Sequence, residues 1–214
     1  MQRNLLTMPL TSEQGYKIRE EYTKDKEKKV CDVHGLVQKG GSRNKIDGYN
    51  DECRKSIKNA SGRSTQVHLT TQNHFIQVMN LNDNAAKFIQ HFCGNQNYNY
   101  KGKDRRTIND IDSQYVDAFK QFLDNNKYKI IDLIIRNGFD ITHVVYNHLP
   151  TKEYELTYEQ INDKIKDTKW VFVRGGIHLK NNQGKSYFHL QREGKRNPKN
   201  RYNVLWHIHM NLFL

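Results

Sequence analysis

The stretch that decides the fold reads KGGSRNKIDGYNDECRKSIKNASGRSTQVHL over residues 39–69. It predicts two short extended segments, at residues 44–49 and 54–60, separated by the turn-forming pair Asn50 and Asp51. Alternation along the second segment puts Ser56 and Lys58 on one face of the strand and Ile57 on the other. We therefore expect a two-strand hairpin near residue 50, with polar side chains on one of its faces.

This hairpin brings a carboxylate close to an ammonium group, because Asp47 ends the first strand and Lys58 lies on the second. Cutting a phosphodiester with a divalent metal requires a carboxylate to bind the metal and a further oxygen donor to complete its shell. It also requires a cation that orients the attacking water and offsets charge on the phosphate. Asp47 and Lys58 are therefore candidate catalytic residues.

The same stretch resembles the PD-(D/E)XK nuclease superfamily, and within it the type II restriction endonucleases. Members of that family carry an Asp ahead of a strand with the pattern acid-x-Lys. Here the Asp is Asp47 and the x-Lys pair is Ile57 and Lys58. The strings GGSRNKIDG and SIKNASG are similar to members that read GGS-x-x-K-x-D, then S-x-K, then a turn rich in Ser and Gly.

The resemblance implies a Mg²⁺-dependent enzyme that hydrolyses double-stranded DNA at a short specific site. In that interpretation Asp47 binds Mg²⁺, the backbone carbonyl of Ile57 completes the metal shell, and Lys58 orients the attacking water. It also implies a homodimer, because two strands must be cut, and a cognate DNA methyltransferase in the same system.

One position departs from the family pattern, since Ser56 stands where the second acid is expected. Glu21, or its neighbour Glu20, is one candidate for a relocated acid, because the family often uses a supporting carboxylate on an N-terminal helix. Gln66 is another, because Gln replaces the acid in a few such enzymes. The sequence leaves these alternatives open.

The charge of the chain favours a polyanionic partner. The formal net charge is +12 and the pI is about 9.5. Residues 37–66 contain seven Lys or Arg against three acids, and residues 182–214 contain six against one. Concentrated cations of this kind release counterions from a phosphate backbone. A basic protein from a lineage rich in Lys and Asn is the alternative explanation.

We expect basic and hydrogen-bonding side chains from both blocks to contact DNA. Gln191 and Arg192, on a C-terminal β-ribbon, are the expected readers of base edges. The other expected contacts are Arg43, Lys45, Ser61, Arg63, Ser64, Lys195, Arg196, Lys199 and Arg201.

Two further patterns are compatible with chemistry near the C-terminus. His207 and His209 are one residue apart on a predicted strand, which suits either a metal ligand pair or structural hydrogen bonds. Gln191 and Glu193 form a rival acid pair for a nuclease, but we find no Asp on a preceding strand and no Lys on the same strand.

The expected fold is an α/β single domain over residues 1–214. A mixed central sheet flanked by helices, restriction-endonuclease-like, would carry the catalytic hairpin, and a β-rich basic region over residues 170–214 would end the chain. Capping patterns predict helices beginning at Thr11, Thr107 and Thr157. No apolar run suits a membrane span and three scattered cysteines suit a reducing compartment, so we expect a cytoplasmic protein.

A second function fits the same composition. A non-catalytic DNA- or RNA-binding regulatory protein would explain the charge and the basic C-terminal region. Ser56 in place of an acid is the best argument for it.

Overall fold

Two five-stranded sheets form the frame of the protein. The structure is a computed structural model that describes residues 24–39, 45–60, 62–94, 106–148, 152–192 and 202–214. In chain order the strands are β1 (Val37–Gln38), β2 (Gly48–Tyr49), β3 (Arg54–Ala60), β4 (Ser64–Thr70), β5 (His143–His148), β6 (Lys152–Thr157), β7 (Lys169–Val173), β8 (Gly176–Lys180), β9 (Ser186–Arg192) and β10 (Val204–His209).

The first sheet is mixed and has the order β1-β2-β3-β5-β6. Its central pair β3 and β5 is parallel, with Ile57 opposite Val145, while its other pairs are antiparallel. The second sheet has the order β4-β10-β9-β8-β7 and is antiparallel throughout. A parallel pair requires a long crossover, and the described residues between β3 and β5 include β4 and four α-helices.

The helices begin where side chains can cap them. The described helical segments are α1 (residues 24–33), α2 (Gln72–Met79), α3 (Asp83–Cys93), α4 (Ser113–Asn125), α5 (Lys127–Ile135) and α6 (Tyr158–Ile165). Thr71 and Asn82 accept hydrogen bonds from backbone N–H groups at the starts of α2 and α3. Thr157 and Gln160 form the capping box that the sequence predicts for α6. Caps of this kind each stabilise a helix by about 1 kcal/mol.

The main hydrophobic core joins both sheets. It includes Val144 and Tyr146 from the first sheet, Phe188 and Trp206 from the second, and apolar faces of α2 to α6. A second, smaller cluster packs α1 against β3 and β5. Its members are Val30, Cys31, Leu36, Cys53, Ile57 and Val145. Burial of one large apolar side chain contributes roughly 1.5–3 kcal/mol, so this smaller cluster is sufficient to hold α1 on the sheet.

The general α/β class is confirmed, with a mixed sheet and a β-rich C-terminal region that forms most of a second sheet. These C-terminal strands are joined by β4, a stretch for which no strand was predicted from the sequence. The helix predicted from Thr107 is also interrupted. Asp110 accepts a hydrogen bond from the Thr107 hydroxyl at 2.8 Å and closes a short 3₁₀ turn, and α4 begins only after Asp112.

No helix among the described residues is both long and apolar enough to cross a bilayer.

Candidate functional site

The Asp47 carboxylate lies against strand β3. Its Oδ2 accepts a hydrogen bond from the Ile57 amide at 2.6 Å and one from the Ser56 hydroxyl at 3.3 Å. Lys58 Nζ lies 3.5 Å from the same oxygen. Both charged side chains are largely buried, with 16% of Asp47 and 14% of Lys58 exposed. The predicted catalytic pair is therefore brought together by the structure.

Backbone pairing and a close helix hold Asp47 in this place. Its N–H donates to the Lys55 carbonyl at 2.9 Å, and its own carbonyl accepts from the Lys39 N–H at 2.9 Å. The next residue is Gly48, where a Cβ atom would lie 2.6 Å from Cys31 Sγ on α1. Only glycine allows the helix to pass so near to the strand. The segment Asp47-Gly48 is thus a contact point between the sheet and α1.

A polar network fixes the end of α1 to the sheet. His34, just after the helix, contacts Glu153 on β6, and Lys55 Nζ lies 3.2 Å from His34 Nδ1. Lys55 also donates to Glu155 at 2.7 Å. These charge-assisted contacts and the small apolar cluster together set the position of α1 relative to Asp47.

Glu27 on α1 is the acid that sequence analysis missed. Its pKa is raised to about 7, first by burial and then by the negative charge of Asp47, while Lys58 acts in the opposite direction. The two carboxylates are therefore close enough to repel each other. A signal for Glu27 was present in the sequence, because Val30 and Cys31 lie three and four residues later and so share its helix face.

The described oxygen donors of this site suit a hard divalent cation. Two carboxylates that repel each other are stabilised by a cation between them, and Mg²⁺ prefers oxygen ligands. Asp47 and Glu27 thus fit the role of metal ligands. Ile57 contributes its N–H to Asp47, and its carbonyl as a ligand stays a prediction. Glu21 and Glu20 lie outside the described residues.

The Lys45 side chain makes hydrogen bonds within the protein. Its ammonium donates to the Val67 carbonyl at 2.5 Å and to the Ile134 carbonyl at 3.2 Å. Burial, followed by the positive charge of Lys58, lowers the pKa of Lys45 to about 7. Lys45 thus ties the segment before Asp47 to β4 and α5, and its contact with DNA stays a prediction.

A second polar cluster covers one face of the second sheet. In the strand register His178 on β8 lies opposite His189 on β9, which lies opposite His207 on β10. His209 follows two residues after His207 and so points to the same side of the sheet. His189 Nδ1 lies 2.6 Å from His209 Nε2. Burial, as the largest cause, lowers the pKa of all four histidines, and to about 4 for His178, His207 and His209.

Gln66 and Gln191 belong to this histidine face. Gln66 lies on β4 opposite His207, and no hydrogen bond among the described residues joins it to Asp47, so its role as the relocated ligand stays a prediction. Gln191 Nε2 lies 2.9 Å from His207 Nε2 and its Oε1 lies 3.2 Å from His189 Nε2. The expected reading of a base by Gln191 would require these bonds to break.

Arg192 is also engaged within the protein. Its Nη1 donates to the carbonyl of Arg106 at 2.7 Å and to that of Phe92 at 3.1 Å, which ties β9 to the end of α3. The reading of a base by Arg192 stays a prediction, and it would require these bonds to rearrange. Arg63 is exposed and Ser64 is partly exposed, so both stay predicted DNA contacts.

The remaining predicted DNA contacts lie outside the described residues. They are Arg43, Ser61, Lys195, Arg196, Lys199 and Arg201, and Glu193 of the rival acid pair lies there as well.

No protein-family model matches the chain, and no curated protein matches it.

Proposed function

We propose that this chain is a Mg²⁺-dependent DNA endonuclease of the type II restriction kind. The observation that carries the proposal is the convergence of Asp47, Lys58 and Glu27, which come from three separate elements. Lys58 Nζ lies 3.5 Å from Asp47 Oδ2, and the charge of Asp47 contributes to the raised pKa of Glu27. Two acids and one lysine in a half-buried position are the groups that metal-assisted phosphodiester hydrolysis requires.

Each of the three residues has a distinct role in this proposal. Asp47 and Glu27 would hold Mg²⁺, which supplies Lewis acidity and lowers the pKa of a water molecule when bound. Lys58 would orient the attacking water and offset the charge that develops on the phosphate. Ser56 is fully buried and donates to Asp47, so it would keep the carboxylate oriented. Glu27 would then supply the charge that an acid at position 56 supplies elsewhere in the family.

The charge of the chain supports a nucleic-acid substrate. The net charge of +12 favours a polyanion, and exposed Arg63 lies directly before β4. The restriction-endonuclease-like fold belongs to the same proposal and is supported by the mixed sheet in which Asp47 adjoins the central strand β3. A specific site, a homodimer and a cognate methyltransferase are expectations that rest on the resemblance of residues 39–69.

The test is cleavage of a long phage DNA with Mg²⁺ and with EDTA. We expect discrete fragments with Mg²⁺ and none with EDTA. Asp47→Asn, Lys58→Ala and Glu27→Gln should each lower the cleavage rate at least about 100-fold, because such groups contribute several kcal/mol to the transition state. Gln66→Ala is the matched control, and it should cleave at the normal rate.

Two results would contradict the proposed nuclease activity or its site. Absence of cleavage with Mg²⁺ or Mn²⁺ on several DNAs, together with a mobility shift, would favour the regulatory DNA- or RNA-binding protein. Normal cleavage by Asp47→Asn would remove this site from the chemistry. Circular dichroism of each variant separates loss of the site from loss of the fold.

A further inference from the structure

The histidine face of the second sheet brings together metal-ligating groups that the proposed nuclease site does not use. His178, His189 and His209 come from three consecutive antiparallel strands and share one side of the sheet. One ring nitrogen of each lies within 4.8 Å of the corresponding atoms of the other two. His178 and His209 are partly exposed, so an ion in solution can reach them.

We infer that His178, His189 and His209 form a binding site for Zn²⁺ or a related transition-metal ion, with a fourth position open to water or an anionic oxygen. In a tetrahedral zinc site with Zn–N bonds of about 2.1 Å, the ligand nitrogens are roughly 3.4 Å apart. His189 Nδ1 and His209 Nε2, now 2.6 Å apart, need to separate by less than an ångström to reach that spacing.

Neighbouring side chains already orient two of the three rings. His178 Nδ1 lies 3.0 Å from the Ser186 hydroxyl, which leaves Nε2 as its ligand atom. His189 Nε2 lies 3.2 Å from Gln191 Oε1, which leaves Nδ1 toward His209. Histidines that bind metals nearly always use their other ring nitrogen in this way, because the second hydrogen bond fixes the tautomer and the ring orientation.

The fourth histidine supports the site without belonging to it. Gln191 Nε2 lies 2.9 Å from His207 Nε2, so His207 fixes the amide whose oxygen orients His189. The Nδ1 atom of His207 is buried and has no hydrogen-bond partner within the described part of the chain. We therefore assign His207 and Gln191 as positioning residues.

The chemistry of the donors selects the metal. Three imidazoles suit Zn²⁺, Co²⁺, Ni²⁺ or Cu²⁺, whereas Mg²⁺ requires oxygen ligands. Three histidines with an open fourth position are also the arrangement of zinc sites that activate or exchange a ligand. This site is distinct in donors and position from Asp47 and Glu27.

The experiment measures metal binding by the full chain without DNA. The EDTA-treated and dialysed protein is titrated with ZnCl₂ in competition with a chromogenic chelator, and with CoCl₂ while the visible spectrum is recorded. We expect one equivalent of Zn²⁺ per chain, intense d–d bands of tetrahedral Co²⁺, and no competition from millimolar Mg²⁺.

Variants separate this site from surface binding. His178→Ala and His209→Ala should each weaken Zn²⁺ binding at least about 100-fold, since loss of an outer-sphere partner alone costs roughly 10–100-fold. His207→Ala should have that smaller effect and retain the Co²⁺ bands. His74→Ala, which removes an exposed histidine on α2, is the matched control and should bind normally.

Three results would overturn the inference: no stoichiometric Zn²⁺ binding by the wild-type chain, unchanged affinity in His178→Ala and His209→Ala, or an equal loss in His74→Ala. Because wild-type spectra test the site directly, a variant that fails to fold does not leave the question open. Asp47→Asn should bind Zn²⁺ normally, so failure of the nuclease proposal and failure of this one are distinguishable.

Discussion

Glu27 lies on helix α1 and Asp47 lies directly before strand β2, yet the charge of Asp47 contributes to raising the pKa of Glu27 to about 7. Burial is the larger cause, and the ordinary value of this carboxyl group is 4.5. Glu27 therefore retains its proton in the folded chain over a pH range in which it would lose it when unfolded. A cation that binds between the two acids must displace this proton.

The first prediction is that divalent-metal affinity rises with pH up to about 7 and then levels off. Below the raised pKa each pH unit should increase the apparent affinity by about tenfold, because one proton is released for each ion bound. Glu27→Gln should bind more weakly and lose most of this pH dependence. Mn²⁺ binding followed by electron paramagnetic resonance between pH 5 and 8.5 measures it.

Glu52→Gln is the matched control, since Glu52 is exposed in the turn before β3. It should retain both the affinity and the pH profile.

A carbon-13 titration of the Glu27 carboxyl group gives a check that needs no metal, because Asp47→Asn should move the pKa of Glu27 part of the way toward the ordinary value. An unchanged pKa in Asp47→Asn would show that the two acids do not interact.

The second prediction concerns the contact between Gly48 and Cys31. In Gly48→Ala the new Cβ would lie 2.6 Å from Cys31 Sγ and 3.1 Å from Leu36 Cδ1. Overpacking of this kind costs about 1–3 kcal/mol of unfolding free energy. The shift of α1 that relieves it should also displace Glu27 and lower cleavage. Urea denaturation and the cleavage assay measure the two effects.

A double variant tests whether the helix contact is the cause. Gly48→Ala combined with Cys31→Ala should be more stable than the sum of the single changes predicts, because removal of Sγ makes room for the new methyl group. Gly175→Ala is the control, since a Cβ there meets nothing within 4 Å. Additive losses in the double variant would place the strain elsewhere.

The contact between Asp47 and Lys58 could be predicted from sequence because it is local. A hairpin of two short strands places an Asp at the end of one beside a Lys on the other, whatever the rest of the chain does. Capped helices such as α2 and α6 were predictable for the same reason, since their Thr caps and apolar spacing lie within a few residues of each other. Glu27 was within reach, because its spacing to Val30 and Cys31 places it on the buried helix face.

The β-rich region over residues 170–214 was predicted from local patterns, but the fifth strand of its sheet, β4, was not. Strand β4 contains mostly Ser, Thr, Gln and His, with Val67 and Leu69 among them. Its position in the sheet is defined by its pairing with β10, in which Gln66 lies opposite His207. The partner strand lies far along the chain, so no local pattern specifies the pairing. The roles of Lys45 and Arg192 were missed for a related reason, because each binds backbone carbonyls that are distant in sequence.

The last prediction separates the internal role of Lys45 from DNA binding. Lys45→Met should leave the carbonyls of Val67 and Ile134 without their donor, at a cost of about 1–3 kcal/mol of unfolding free energy. The pKa of Lys45 is about 7 in the folded chain and ordinarily 10.5, so between these pH values the unfolded chain binds more protons than the folded chain. The contribution of this lysine to stability therefore grows as pH rises through that range. The deficit of Lys45→Met should therefore be larger at pH 9 than at pH 6 by urea denaturation.

In DNA binding at several salt concentrations, Lys45→Met should leave the slope of log affinity against log salt unchanged, whereas Arg63→Ala should reduce it by about one unit. A reduced slope in Lys45→Met with normal stability would instead place the Lys45 ammonium on the DNA.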